Sequence, residues 1–151
     1  MKIVDILEPT AVLDDLVGST PTRVLSAICG PLAERTGLDR WEMVEALLSR
    51  ERLGSTALGG GVAVPHARMH GLPGVMAGLG RSRAAIRFKS PDGQPIRIFF
   101  ALFAPENAHG EHLQALAHVS RLFERRNLCH RLLNAKDSAE LYELLTAEDA
   151  R

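Results

Sequence analysis

Apolar positions recur at two different spacings along this chain, and the change of spacing divides it into three parts. In the first third, Val24, Leu25, Ile28 and Leu32 fall on one face of a helix. Thr20 is placed to cap that helix, with Pro21 at its first position and Gly37 at its end. Asp39 starts a second helix, with Glu42 three residues on in the manner of a capping box, and Leu38 and Met43 sit where a hydrophobic staple would. Val44, Leu47 and Leu48 form its apolar stripe, and Gly54 closes it. Ala11 to Leu16 adds an early edge strand.

The middle third changes to strand patterning. Gly61 to Pro65 is the first strand expected there, Val75 to Gly80 the second, and Ile86-Arg87-Phe88 alternates in the strand manner. Pro91-Asp92-Gly93 is a turn. Ile96 to Phe103 is so uniformly apolar that it should be a central strand covered on both faces. The last third returns to helix. Leu113, Leu116, Ala117 and Phe123 mark one helix, and Leu128, Leu132 and Leu133 a second. Leu141, Leu144 and Leu145 mark a third, begun by Asp137 with Glu140 at its third position. Helices on both sides of a strand block predict an α/β fold: a single domain over residues 1–151, with a mixed β-sheet flanked by helices on both sides.

Composition narrows the function classes. Lys plus Arg and Asp plus Glu both number 18, a formal net charge of zero. That balance argues against a general nucleic-acid binder, which needs a basic footprint, and gives no reason to expect attraction to a membrane surface. The N-terminal residues lack the apolar core of a signal peptide, and no apolar run reaches transmembrane length. A soluble, cytoplasmic protein without membrane insertion is expected. Cys29 and Cys129 form no metal or redox spacing and read as small buried hydrophobes. Arg121, Arg125, Arg126 and Arg131 read as a solvated helical face rather than an acidic partner's site.

The candidate chemistry centres on Gly59-Gly60-Gly61-Val62-Ala63-Val64-Pro65-His66. Glycine lets backbone approach a ligand closely, and proline ends a ladder by removing a donor. The expected result is His66 on a stiff tip at a strand end. His66 and His70 are spaced as a helical metal pair, but Pro65, Gly71 and Pro73 leave no room for the helix. Ala67 stands where a metalloprotease would have glutamate. A metal-binding hydrolase built on His66, His70, His109 and His112 is the alternative from a different class. No Gly-x-Ser-x-Gly elbow is present, and the glycines lack the Gly-Lys-Ser/Thr ending of a nucleotide-phosphate loop.

Histidine as a nucleophile remains. Neutral imidazole has a free lone pair at cellular pH, and attack on phosphorus would give a phosphohistidine. Such transfer needs positioning and groups for the phosphoryl oxygens. Arg50 offers a forked guanidinium, Ser55 and Thr56 offer hydroxyl or main-chain donors for a phosphoryl cradle, and His112 can bond a phosphoryl oxygen or His66. Taken singly, Arg50 reads better as a solvated helix charge and His112 as an ordinary first-turn residue. Val62, Met69 and Leu72 form either an apolar docking rim or plain core.

Arg50-Glu51-Arg52-Leu53-Gly54-Ser55-Thr56, Gly61-Val62-Ala63-Val64-Pro65-His66 and Glu111-His112-Leu113 together resemble the enzyme IIA domains of the bacterial phosphotransferase system, mannitol/fructose class. Asp92-Gly93-Gln94-Pro95-Ile96, the end of the Phe99 to Pro105 strand and Ser138-Ala139-Glu140-Leu141-Tyr142 resemble the nitrogen-regulatory type within it. The resemblance runs over nearly the whole chain. It implies a phosphotransferase component in which His66 takes a phosphoryl group from a histidine-containing phosphocarrier protein, with Arg50 and His112 beside it. It implies no metal or organic cofactor. In the nitrogen type the phosphorylation state controls regulatory partners, such as potassium-transport and sensor-kinase proteins. In sugar-specific members the phosphoryl group passes to a IIB domain. The sequence shows no IIB or membrane IIC segment, which fits a regulatory protein.

Overall fold

The computed structural model describes residues 1–125 and 127–151. Six strands form one mixed sheet: β1 (Leu7–Leu16), β2 (Ala57–Gly59), β3 (Val62–Ala63), β4 (His66–Met69), β5 (Met76–Ile86) and β6 (Ile96–Pro105). Their order is β1-β5-β6-β3-β2, with β4 also paired to β6. β1 runs parallel to β5, β5 antiparallel to β6, and β3 and β4 parallel to β6. The helices are α1 (Ile3–Ile6), α2 (Pro21–Thr36), α3 (Arg40–Leu53), α4 (His109–Phe123), α5 (Leu128–Leu133) and α6 (Ser138–Asp149).

The sheet separates two apolar cores. One face packs Val24, Leu25, Ile28 and Leu32 of α2 and Met43, Val44 and Leu47 of α3 against Phe99, Ala101 and Phe103. The other packs Ala115, Val119 and Leu122 of α4, with residues of α1, α5 and α6, against Ile98, Phe100 and Leu102. β6 supplies alternate side chains to both cores, which is why its sequence is apolar throughout. The expected α/β architecture is the observed one.

The caps follow the sequence. Thr20 accepts from the N–H of Arg23 at 3.3 Å, Asp39 from Glu42 at 3.0 Å, and Asp137 from Glu140 at 2.9 Å. Gly37 closes α2 in the left-handed region at φ 77°. The turn at Pro91-Asp92-Gly93 is present, with the N–H of Gly93 bonded to the Ser90 carbonyl.

Other expectations are corrected. The strand expected over Gly61 to Pro65 is regular only at Val62–Ala63. The three glycines build the β2–β3 turn, all at positive φ (90°, 66° and 83°). The N–H of Gly60 is pinned to the Asp92 carboxylate at 2.8 Å. Past Pro65 the chain resumes pairing, and the offset to β6 is unchanged: Ala63 sits against Phe99 and His66 against Leu102. Proline therefore interrupts the ladder without ending the strand. His66 begins β4 rather than standing on a free tip.

The face of α4 also differs from its apolar pattern. His112, Ala115, Val119 and Leu122 are buried, whereas Leu113 and Ala117 are exposed and Leu116 is half-buried. Val62 and Leu72 are core residues and Met69 is half-buried, so they form no docking rim. Arg125 and Arg131 are not simply solvated: both engage the buried Glu148, together with Arg151. Arg121 is exposed, and Arg126 lies outside the described residues. Cys29 is buried, which pushes its thiol up to about 12, while Cys129 is half-buried and its thiol reaches the Gly60 carbonyl. Both thiols are free.

Candidate active site

β4 lies at the sheet margin where the two helix layers part. Side chains alternate along it, so Ala67 and Met69 join the core under α2 and α3, while His66 and Arg68 turn toward α4. Val62 and Val64, in step with His66 across Pro65, already belong to the α4 side. The interrupted strand thus keeps its facing, and this places the His66 imidazole beside His112 of α4. The ring centroids are 5.4 Å apart, at an interplanar angle of 68°. Arg50, in the last turn of α3, reaches the same place around the sheet edge. Its Nη1 donates to the Gly54 carbonyl at 2.8 Å, which anchors the guanidinium at the helix end. His66, His112 and Arg50 line one open cleft of about 850 Å³, together with Arg68, His109 and Glu106 and with Leu53, Leu113 and Leu116 among its apolar walls.

The hydrogen bonding of His66 selects its tautomer. Nδ1 lies 2.8 Å from the Val64 carbonyl oxygen, which can only accept. Nδ1 therefore carries the proton, and Nε2 keeps the lone pair. Burial lowers the His66 pKa, with a smaller contribution in the same direction from the Arg50 charge; the Val64 bond and Glu51 oppose them. The net shift favours the neutral, nucleophilic ring.

His112 is more perturbed. Burial first, then His66, Arg68 and Arg50, bring its pKa down to about 4. Its Nε2 is buried and has no hydrogen-bond partner among the described residues. An unpartnered polar atom of this kind costs about 1–3 kcal/mol and is kept where a ligand atom can satisfy it.

Ser55 and Thr56 are not brought into the cleft. The Ser55 hydroxyl donates to the Lys89 carbonyl. The Thr56 hydroxyl donates to Glu51 at 2.5 Å, and its N–H reaches the same carboxylate at 3.1 Å. The Thr56 carbonyl in turn accepts from the N–H of Val64 at 3.0 Å. A chain of bonds therefore runs from Glu51 through Thr56 and Val64 to His66 Nδ1. Thr56 supports the histidine from behind, in place of the cradle expected from its sequence neighbourhood.

Residue type and motif single out neither Glu51 nor Arg68. Period-two spacing from His66 was the available signal for Arg68; Glu51 had none, because its partner Thr56 depends on how the chain turns after α3. His70 faces Glu106 at 3.7 Å, away from His66. Among the described residues no three His, Cys, Asp or Glu side chains converge to hold a metal ion. The cleft instead offers a neutral imidazole nitrogen on His66, an unpartnered imidazole nitrogen on His112 and two guanidinium groups, a set suited to an anionic electrophile such as a phosphoryl group.

Comparison with known proteins agrees with this chemistry. Residues 5–148 match the model of the phosphoenolpyruvate-dependent sugar phosphotransferase system, EIIA 2. A nitrogen regulatory protein of Bradyrhizobium diazoefficiens is 36% identical over 150 residues, covering 99% of this chain and 98% of the relative. The fructose-specific EIIABC component of Bacillus subtilis is 30% identical over 150 residues, covering 99% of this chain and 24% of that longer protein. The crystal structure of nitrogen regulatory protein IIA-Ntr from Neisseria meningitidis superposes with a TM-score of 0.86 at 32% identity, covering 94% of this chain and 97% of that one.

Proposed function

The chain belongs to the phosphoenolpyruvate-dependent sugar phosphotransferase system EIIA 2 family, and on that premise we propose that it is a nitrogen-type IIA protein whose His66 Nε2 carries the phosphoryl group. As a member of this family it is a phosphotransferase component, a carrier of phosphoryl groups. The donor is a histidine-containing phosphocarrier protein, and the whole chain, residues 1–151, acts as one IIA domain in the cytoplasm. Among the described residues no helix is long and apolar enough to cross a membrane.

The observation that carries this reading is the pair of imidazoles. His66 has its Nδ1 proton fixed on Val64 and its Nε2 lone pair free. His112 presents a buried, unpartnered Nε2. The His66 Nε2 lone pair forms a bond to phosphorus as the donor's P–N bond breaks, and the donor imidazole leaves with the bonding pair. In its Nε2–H tautomer His112 then donates to a phosphoryl oxygen, and Arg50 supplies charge from the same cleft. Little reorganisation is required, because the Gly54 carbonyl and the Val64 carbonyl already hold Arg50 and His66.

Phosphorylation adds about two negative charges in a cleft that also carries the exposed leucines Leu53 and Leu113. A docking surface changed in this way discriminates between partners by phosphorylation state. We assign the readers of that state to regulatory proteins, of the potassium-transport or sensor-kinase kind, on the likeness to proteins named nitrogen regulatory protein. The likeness to the fructose-specific component favours a second reading, onward transfer to a IIB domain.

The deciding experiment incubates the protein with the upstream phosphodonors of its own cell. An acid-labile, base-stable phosphate on wild type that is absent from His66→Ala supports His66 as acceptor; full uptake by His66→Ala overturns it. Addition of the cell's IIB proteins to the purified phosphoprotein separates the two readings. Stable phosphate favours regulation, and rapid discharge favours transfer.

A further inference from the structure

Arg68 stands two residues beyond His66 on β4, so the strand puts both side chains on the same face. It is exposed, lines the same cleft and makes no ion pair among the described residues. Its one hydrogen bond to a side chain joins Nη1 to His109 Nε2 at 3.0 Å. A guanidinium only donates, so His109 accepts through Nε2 and carries its own proton on Nδ1. Glu106, a carboxylate lining the same cleft, faces His70 instead.

The cleft thus holds two guanidinium groups that line it together with His66: Arg50 from α3 and Arg68 from β4. Arg50 already has one nitrogen committed to the Gly54 carbonyl. Neither pairs with a carboxylate among the described residues. A phosphoryl group on His66 Nε2 would carry three oxygens and close to two negative charges. One guanidinium and the single donor of His112 leave that group undersupplied. The Arg68 charge is also felt in the site, as one of the causes that depress His112.

We infer that Arg68 is a second phosphoryl-holding residue, acting together with Arg50 on the group carried by His66, and that His109 is the positioning residue that holds the Arg68 guanidinium along the cleft wall. This rests on the reading of His66 as acceptor. The side-chain geometry suits a hand-over: His109 binds Arg68 through a neutral nitrogen, a weaker partner than a dianion, so the guanidinium turns to the phosphoryl oxygens without breaking an ion pair. With a second guanidinium on its oxygens the phosphoryl group is held more firmly, and the lifetime of the carried group depends on Arg68.

Phosphoramidate, a small phosphodonor, tests this without any partner protein. The His66 Nε2 lone pair forms the new N–P bond as the donor's P–N bond breaks, and ammonia leaves with the bonding electrons. The ring is then a phosphoimidazolium until its Nδ1 proton passes to solvent. Uptake rate and the half-life of the phosphohistidine are followed by phosphorus NMR for wild type, Arg68→Lys, Arg68→Met, His109→Ala and His66→Ala.

Arg68→Met is expected to slow uptake and shorten the half-life about tenfold, with Arg68→Lys intermediate and His109→Ala shifted in the same direction by less. Melting temperature should stay within a degree or two, because Arg68 is exposed and contributes little to the core. Uptake and half-life equal to wild type in Arg68→Met, with His66→Ala inert, overturn the role of Arg68 and leave the acceptor reading standing. Uptake in His66→Ala equal to wild type overturns the acceptor reading, and this inference with it.

Discussion

His66 donates its Nδ1 proton to the carbonyl of Val64, two residues back across Pro65, at 2.8 Å. The acceptor is main chain in a buried segment tied to Thr56 through the Val64 N–H and to Leu102 through the Pro65 carbonyl, so it cannot rotate away as a side chain would. The bond fixes the ring and decides which nitrogen is nucleophilic. Nitrogen NMR of the free protein should show His66 protonated at Nδ1. The phosphorylated protein should carry its phosphorus on Nε2. A phosphorus–nitrogen coupling to Nδ1 would contradict the assignment.

The support behind that bond reaches Glu51. Its carboxylate receives both the N–H and the hydroxyl of Thr56, whose carbonyl holds Val64. Thr56→Val keeps the shape and removes one of these donors. It should cost about 1–2 kcal/mol in urea unfolding, since a part-buried carboxylate loses a short hydrogen bond. Phosphate uptake should slow several-fold as Val64 loosens. Normal uptake at reduced stability would limit Thr56 to folding alone.

His112 makes stability depend on pH. Its imidazole titrates near 6.5 when unfolded but at about 4 in the folded chain, chiefly because of burial. Between these values the unfolded state binds more protons. The folded state therefore incurs no penalty above pH 6.5 and loses stability as pH falls through that window toward 4, by on the order of 2–3 kcal/mol at full protonation. The lowered pKa of His66 acts in the same direction. Urea unfolding from pH 7.5 to 4 should show this slope, and His112→Gln should flatten it. Phosphorylation should move the His112 titration upward, since a nearby dianion favours the imidazolium.

What the sequence made legible, and what it did not, divides along physical lines. Caps and turns are local chemistry, so Thr20, Asp39, Asp137 and Gly37 were readable from a few residues each. The apolar run of β6 announced its own burial. Pro65 misled because a proline removes one donor, while the parallel partner β6 holds the chain in register on both sides of the gap. The α4 stripe misled because its apolar residues exceed what the sheet can cover; His112 takes a buried place and Leu113 is left outside. His66, Arg50 and His112 were nameable from residue type and spacing, and the structure gathers all three into one cleft. Thr56 was nameable too, but its role depends on Glu51, a contact that only the turn after α3 creates.

That excess apolar surface is itself a prediction. Leu53, at the end of α3, is 85% exposed, and Leu113, at the start of α4, is 68% exposed. They stand on two helices whose residues line the His66 cleft, so a protein bringing a phosphohistidine to His66 is expected to meet them. Neither contributes much to folding, so Leu53→Asp and Leu113→Asp should change stability by no more than about 0.5 kcal/mol. Both place a negative charge and remove apolar area beside the cleft, where the proposed phosphocarrier would dock. Each should slow phosphorylation by the protein donor about tenfold, while uptake from phosphoramidate, which needs no docking, changes less than twofold. Equal slowing with both donors would move these leucines from the docking rim into the chemistry of the cleft.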